Sequence, residues 1–355
     1  MSDLCTYQLS FRSPLHIGER GVGLEETRTY ISADTLFGAI CIAWRELYGV
    51  EDLHRDVLDW YCESEPGMEP FFLTSAFPCA ADVRFLPKPL RLNANFIIGE
   101  QNVKEFKRIR FVSEKIFNPL VSGRELEFHP EECVNQGTIW ATKEEIDSLN
   151  SFTDDQTGKI TLWKSSVVPH VTLDTITNAS EIWNFGELHY TQESGLWFAV
   201  KYNPEHGDFL RKRFESCLLL LGDMGLGGKR SSGHGLFDMK TYAEPPFLYV
   251  KNPDLYVTLS PICPKNVEEV AELTDGKVSY ELMPIRGWVT SLNANNLRRK
   301  MVWMFAEGSV LNGIPNKYAG RLVDVTPDDI EKYIRNPHKV WRYGYAFPVG
   351  VKLHD

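Results

Sequence analysis

Residues 222–235 read Gly-Asp-Met-Gly-Leu-Gly-Gly-Lys-Arg-Ser-Ser-Gly-His-Gly, and no other stretch restricts the fold of this chain so tightly. Six of these 14 residues are glycine, the residue that takes positive φ without steric cost and lets backbone approach another group closely. Before the loop, Phe209, Phe214, Cys217, Leu218 and Leu221 recur at helical spacing, which predicts a helix ending at Gly222. After it, residues 236–240 read as a strand. A P-loop needs Gly-x-x-x-x-Gly-Lys-Ser/Thr with a strand before and a helix after. Here Arg230 follows Lys229, Asp223 stands where the first glycine belongs, and the element order is reversed, which excludes an NTPase. Backbone N–H groups at Gly225, Gly227, Gly228 and Gly233 make an anion cradle. Lys229, Arg230, Ser231, Ser232 and His234 add cations and donors. A solvated surface loop is the competing account.

The rest of the chain sets bounds on that reading. A length of 355 residues suggests two domains, and 43% hydrophobic with 24% charged residues is globular composition. The formal net charge of −10 argues against nucleic acid as a partner for the whole surface, so any basic groove must be local. The first ten residues lack a basic and apolar secretory pattern, and no window holds about 18 consecutive apolar residues, so a cytoplasmic protein without a membrane span is expected. The seven cysteines form no C-x-x-C pair, which supports neither a zinc ribbon nor disulfides; buried free thiols are expected. No carboxylate or histidine spacing specifies a metal, and no cofactor motif is present.

Periodicity gives a strand at residues 6–11 and a turn-rich stretch at 13–23. A helix capped by Ser32 follows, with Leu36, Ile40, Ala43, Trp44 and Leu47 on one face and a stop at Gly49. A second helix is expected over residues 52–62, a proline-bearing loop over 78–89, and a weakly periodic insertion of strands and loops over 120–195. Residues 196–202 read as a strand, and a boundary falls at Glu244-Pro245-Pro246. Beyond it, strands are expected at 255–259, 279–283, 300–305 and 343–352, with a helix at 264–273. The picture is α+β, two domains each with a mostly antiparallel sheet and helices on one face.

Four further segments have alternative readings. Residues 104–115 interleave Lys104, Lys107, Arg108, Arg110 and Lys115 with Phe106, Ile109 and Phe111, which fits an extended arm touching phosphates and bases, or a solvated strand face. His16, with Tyr30 or Lys229, fits metal-free proton transfer on RNA, or a structural histidine. Residues 168–180, with His170, Thr172 and Asn178, fit an RNA-facing loop or an internally bonded turn. Arg286 near Trp288 fits base stacking, or a core tryptophan beside a surface arginine.

An ordered series of segments carries a resemblance. It comprises Ser-Ala-Asp-Thr-Leu-Phe at 32–37, Ser-Ala-Phe-Pro at 75–78, Phe-Leu-Pro-Lys-Pro at 85–89 and Lys-Arg-Ile-Arg-Phe-Val-Ser at 107–113. Gly-Leu-Gly-Gly-Lys-Arg-Ser-Ser-Gly at 225–233, Glu-Gly-Ser at 307–309 and Arg-Tyr-Gly-Tyr-Ala-Phe-Pro-Val at 342–349 complete it. By these the chain resembles the RAMP superfamily of CRISPR-associated proteins and, within it, the type III-A (Csm complex) protein of the Cas5 group, Csm subunit four.

The resemblance implies two RRM-like (ferredoxin-like) domains, 1–243 with an inserted hairpin inside about 84–195, and 244–355. It implies a non-catalytic subunit acting in antiviral defence, without metal or cofactor, whose glycine-rich loop holds the repeat-derived 5′ handle of CRISPR RNA. The implied partners are that RNA, target RNA near the handle–guide junction, the large polymerase-like Csm subunit and the adjoining backbone subunit. RNA contact is implied for His16, Ser32, Asp34, Thr35, Lys88, Lys107, Arg108, Arg110, His170, Thr172, Asn178, Gly225, Gly227, Gly228, Lys229, Arg230, Ser231, Ser232, Gly233, His234, Arg286 and Trp288. The alternative is a metal-independent endoribonuclease that matures repeat RNA through His16.

Overall fold

Tyr7 and Leu9 are fully buried in the strand Leu4–Phe11, which lies between Phe237–Tyr242 and Ser194–Tyr202 and runs antiparallel to both. The computed structural model describes residues 3–18, 27–91, 96–173, 180–242, 244–289, 297–313, 319–333 and 338–353. Ser194–Tyr202 also pairs antiparallel with Phe77–Ala80 and Phe71–Leu73. The sheet then continues through Val83–Pro87, Phe111–Ser113, Ile139–Trp140 and Cys133–Val134 to nine strands. This topology fixes the site: Phe11 pairs with Phe237, so the turn leaving the first strand and the glycine-rich loop entering the last emerge side by side.

The helices Ala33–Leu53 and Gly207–Met224 turn Leu36, Phe37, Ile40 and Trp44, and Leu210, Phe214, Cys217 and Leu218, into the core, the spacing that amphipathic helices require. Ser32 occupies the N-cap position, but its hydroxyl makes no capping bond. Ser75 Oγ accepts from the Ala33 N–H at 2.9 Å instead and donates to Glu307 Oε1 at 2.6 Å. Gly49, read as a stop, is a kink at φ +89°; the helix resumes to Leu53 and passes through a π turn, His54–Leu58, into Asp59–Cys62.

Three local expectations are corrected. Residues 78–89 are not loop but the strands Phe77–Ala80 and Val83–Pro87, whose ladders are short enough to tolerate their prolines. Residues 103–115 are not an extended arm: they form the helix Val103–Arg108, the strand Phe111–Ser113 and the start of the helix Glu114–Ser122. The final strand read over 343–352 divides into Trp341–Tyr345 and Pro348–Val351, which pair with Gly320–Asp324 and Leu255–Thr258 respectively. Leu255–Thr258 pairs on its other side with Val310–Leu311, and Leu282–Ile285 pairs with Val302–Phe305.

Both halves contribute to one hydrophobic core, in which Tyr343 and Tyr345 pack on Phe37, Tyr61 and Phe72. A buried ion pair, Arg342 Nη1 to Asp34 Oδ2, spans the two halves, and Asp34 Oδ1 accepts the Tyr343 N–H at 3.0 Å. All seven cysteines are free thiols; Cys5, Cys79, Cys217 and Cys263 are buried, whereas Cys62 is exposed, against the expectation. Among the described residues, no helix is long and apolar enough to cross a membrane, and no three His, Cys, Asp or Glu side chains gather as a metal site.

Candidate nucleic-acid interface

The strands Trp163–Leu173 and Ser180–Tyr190 form a long hairpin paired from Trp163↔Tyr190 to Leu173↔Ser180. Its root is tied to the first turn by reciprocal backbone bonds between Leu15 and Leu188, 2.9 and 2.8 Å. Strand alternation puts Trp183, Phe185, Glu187 and His189 on one face, and this face meets the glycine-rich loop. His16 is buried with its ring 4.2 Å from Phe185 and Nδ1 2.8 Å from the Gly186 carbonyl oxygen. Lys229 places Nζ 4.1 Å from the centre of the Trp183 ring and 5.1 Å from Phe185. His170, directly across from Trp183, stacks on it at 4.8 Å and 19°. His234 Nε2 lies 2.8 Å from Glu187 Oε1, and Glu187 Oε2 is 3.2 Å from His189 Nε2. Four sequence candidates from three segments, His16, His170, Lys229 and His234, thus converge on Trp183 and Phe185.

Burial holds the His16 imidazole below its usual range, the Gly186 carbonyl opposing that shift and the neighbouring His234 and Lys229 adding to it. For Glu187, burial pushes upward, but hydrogen bonds and charge from His234 and His189 outweigh it and keep the carboxyl below its ordinary value. His170 Nε2 and His234 Nδ1 are buried atoms without a hydrogen-bond partner among the described residues, an unfavourable state that a ligand would relieve.

Most loop glycines are required by packing inside the protein. A Cβ on Gly227 would meet the His16 carbonyl oxygen at 2.3 Å, and one on Gly235 the Leu226 oxygen at 1.9 Å. Most loop amides are likewise occupied: Gly225 donates to Leu221 O, Leu226 to Gly235 O, Gly228 to His16 O, Gly233 to Arg230 O and Gly235 to Pro14 O. The amides of Gly227, Lys229, Arg230 and Ser231 have no partner among the described residues. The cradle is therefore narrower than the expectation drawn over residues 222–235. With the exposed hydroxyls of Ser231 and Ser232 and the half-buried Arg230, it presents donors and positive charge over an aromatic base, a set suited to a sugar–phosphate chain.

Other nominated residues lie elsewhere. Asp34 is occupied by Arg342 and Tyr343, Thr35 sits half-buried in the first helical turn, and Ser32 is buried beside it. Lys88 is drawn inward: Nζ donates to the Phe106 carbonyl at 2.8 Å over its ring, and burial lowers its pKa to about 8. Lys107, Arg108 and Arg110 are exposed, on the outside of a packed helix and strand. Arg286 reaches Met301, and the cation over Trp288 is Arg298, at 4.9 Å. Asn178 and the Thr172 side chain lie outside the described residues. Sequence reading missed Trp183, Phe185, Glu187 and His189; the period-two pattern Trp-x-Phe-x-Glu-x-His was the available signal.

A model of the RAMP superfamily matches residues 8–238, about two thirds of the chain. The chain belongs to the RAMP superfamily. A model of the CRISPR Csm4 C-terminal domain matches residues 251–351 of this RAMP protein. Among curated proteins, the CRISPR system Cms protein Csm4 of Methanocaldococcus jannaschii is 24% identical over 345 residues, covering 89% of this chain and 87% of that one. The protein of the same name from Streptococcus thermophilus is 26% identical over 343 residues, covering 93% of each. Together these matches make this RAMP protein similar to Csm4 proteins along most of its length. A chain in the Csm3–Csm4 subcomplex of a type III-A CRISPR-Cas interference complex shares its fold at TM-score 0.67 and 19% identity, covering 98% of this RAMP chain and 99% of that one. A chain of the Csm1–Csm4 cassette in complex with cA4 gives 0.58 at 20%, covering 99% of each.

Proposed function

We propose that this chain is a non-catalytic, cytoplasmic subunit of a type III-A CRISPR effector complex that binds the repeat-derived 5′ handle of CRISPR RNA and joins the large subunit to the backbone subunit. The Csm3–Csm4 and Csm1–Csm4 assemblies of fold relatives support the bridging role. One observation carries the RNA assignment: three separate segments bring His16, Lys229, His234 and the Trp183–Phe185 pair together beside the unpartnered amides of residues 227 and 229–231. The order Phe237–Tyr242, Leu4–Phe11, Ser194–Tyr202, Phe77–Ala80, all antiparallel with two helices as crossovers, supports a ferredoxin-like N-terminal half. In this reading a second such unit follows residue 243, and the Trp163–Leu173/Ser180–Tyr190 hairpin is the inserted element at the handle–guide junction.

The test is handle binding by the assembled complex. Lys229→Ala with Arg230→Ala is expected to weaken binding about tenfold and to flatten the salt dependence by about 1–2 units of slope, since each cation neutralises one phosphate. Unchanged affinity and slope would remove the loop from the RNA path.

The endoribonuclease reading has one observation in its favour, two histidines, His16 and His234, flanking the Phe185 ring. Against it, His16 is buried with Nδ1 engaged by a carbonyl, a poor arrangement for proton transfer at a solvent-facing phosphate. Repeat RNA cut in EDTA by the wild type and spared by His16→Ala would establish the enzyme.

A further inference from the structure

Residues 282–306 contain no aspartate or glutamate yet carry Arg286, Arg298, Arg299 and Lys300, in a chain of formal net charge −10. Their described part is a two-stranded ribbon, Leu282–Ile285 against Val302–Phe305, prolonged by the Trp288/Arg298 bridge and the Arg299 N–H to Gly287 O bond. Met283, Ile285 and Met304 turn into a buried cluster with Cys263. The alternate residues face out: Leu282 and Trp303 are 48% and 55% exposed, and Met301 and Trp288 are exposed beside them. Arg286 and Arg298 have no carboxylate partner among the described residues, whereas Lys300 pairs with Asp328 at 2.5 Å.

The ground behind the ribbon is also cationic. Arg342 donates through Nη2 to the Arg286 carbonyl at 2.7 Å while paired with Asp34. Arg299, whose pKa burial lowers, is stabilised in its charged form by the field of that same carboxylate and opposed by Arg342. Among the described residues only Arg342 forms an ion pair with that carboxylate, and the Nε atoms of Arg299 and Arg342 are buried with no partner there.

We propose that this ribbon is a second surface for single-stranded RNA, separate from the glycine-rich loop and read by stacking and charge. Exposed tryptophans offer sequence-tolerant stacking, and unpaired arginines track the backbone. Arg286 and Arg298 present charge that no carboxylate among the described residues neutralises, which favours the polyanion. The proposal rests on the chain working on RNA but uses none of the loop residues.

Fluorescence anisotropy of the complex with a 12-nucleotide oligouridylate, which lacks any handle sequence, tests it across about 50–200 mM salt. Arg286→Ala with Arg298→Ala is expected to weaken binding about tenfold and lower the salt slope by about 1.4, the value for two single-strand phosphates. Trp303→Ala is expected to weaken it about tenfold with little change of slope, and Trp303→Phe to restore it. Lys229→Ala with Arg230→Ala should leave oligouridylate binding within about twofold while handle RNA binds about tenfold more weakly. Wild-type oligouridylate affinity and slope in both ribbon variants would overturn the ribbon and leave the loop standing; handle binding untouched in the loop variant would sink the loop alone. Ribbon variants that bind oligouridylate normally but drop out of the complex would make this face a protein interface and overturn the proposal.

Discussion

Residues 103–115 and residues 222–235 both set cations among residues of low polarity, and folding uses them in opposite ways. In the first stretch Phe106, Ile109 and Phe111 are buried, so the interleaved Lys107, Arg108 and Arg110 are left solvated on the reverse side. In the second, the loop's own side chains are small, and the aromatic base is brought by the hairpin: Lys229 sits over Trp183, and His16 and His234 flank Phe185. Alternation within one segment reports which face is inside. Convergence of segments far apart in the chain builds a site.

The sharpest way to break this contrast is to ask what the loop glycines are for. Gly235 has φ +74°, and its added Cβ would sit 1.9 Å from the Leu226 oxygen; Gly233 has φ +80° but open space around its Cβ position. Gly235→Ala is expected to cost about 3–5 kcal/mol, from backbone strain plus overpacking. Gly233→Ala should cost only about 1–2 kcal/mol, the left-handed penalty alone. Chemical denaturation of both variants, run beside handle-RNA binding, separates the two. If the variants lose equal stability, the loop is not held closed by the Gly235–Leu226 approach. If Gly233→Ala alone abolishes RNA binding, close approach of a ligand sets the glycine requirement there.

The sequence showed the helices and the end strands well because Leu36, Phe37, Ile40 and Trp44, and Phe214, Cys217 and Leu218, keep strict helical spacing against one sheet face. It misjudged 78–89 because proline forbids only a ladder N–H, and strands of four and five residues need few of them. It treated residues 103–115 as exposed because charge count hides which face is buried. His16, Lys229 and His234 were visible as residue types, but Ser75 as the true cap of the first helix was not, since Glu307 and Ser75 meet only in the folded chain, 232 positions apart. The same holds for Asp34, nominated as an RNA contact and instead held by Arg342 across 308 positions.

A second, smaller effect probes the loop side of the comparison through His16. Burial lowers its folded pKa below the unfolded value, so between those two values the unfolded chain binds more protons and stability rises with pH. Acidification from pH 7.5 through the usual histidine range should therefore destabilise the wild type, with the loss complete below the folded pKa. His16→Gln, which keeps a donor for the Gly186 carbonyl, should be less pH-sensitive by a few degrees in Tm. Charge from Glu187, His234 and Lys229 faces the same ring, and all three stay in place in the variant. Parallel curves for the two proteins would mean that His16 titrates as a solvated group and that the turn is not closed by the loop.

The smallest effect belongs to the other side, where Lys88, outside the basic stretch, is drawn inward against the Phe106 of that stretch. Its Nζ lies 4.2 Å from the centre of the Phe106 ring, and its pKa falls to about 8 against 10.5 for a free lysine. Here too the folded state binds fewer protons, so the Lys88 contribution destabilises fully below pH 8 and is relieved as pH rises from 8 to 10.5. The buried tyrosines and cysteines, shifted upward, titrate in the opposite sense near that window, so only the difference between wild type and Lys88→Met is diagnostic. Urea denaturation at pH 7.5 and 9.5 should show the wild type gaining on Lys88→Met as pH rises, while handle-RNA affinity stays within about twofold because Lys88 contributes no accessible charge. A loss of RNA binding larger than tenfold, with no pH-dependent gap in stability, would mean that Lys88 swings out to a phosphate, and the two regions would then share one RNA path.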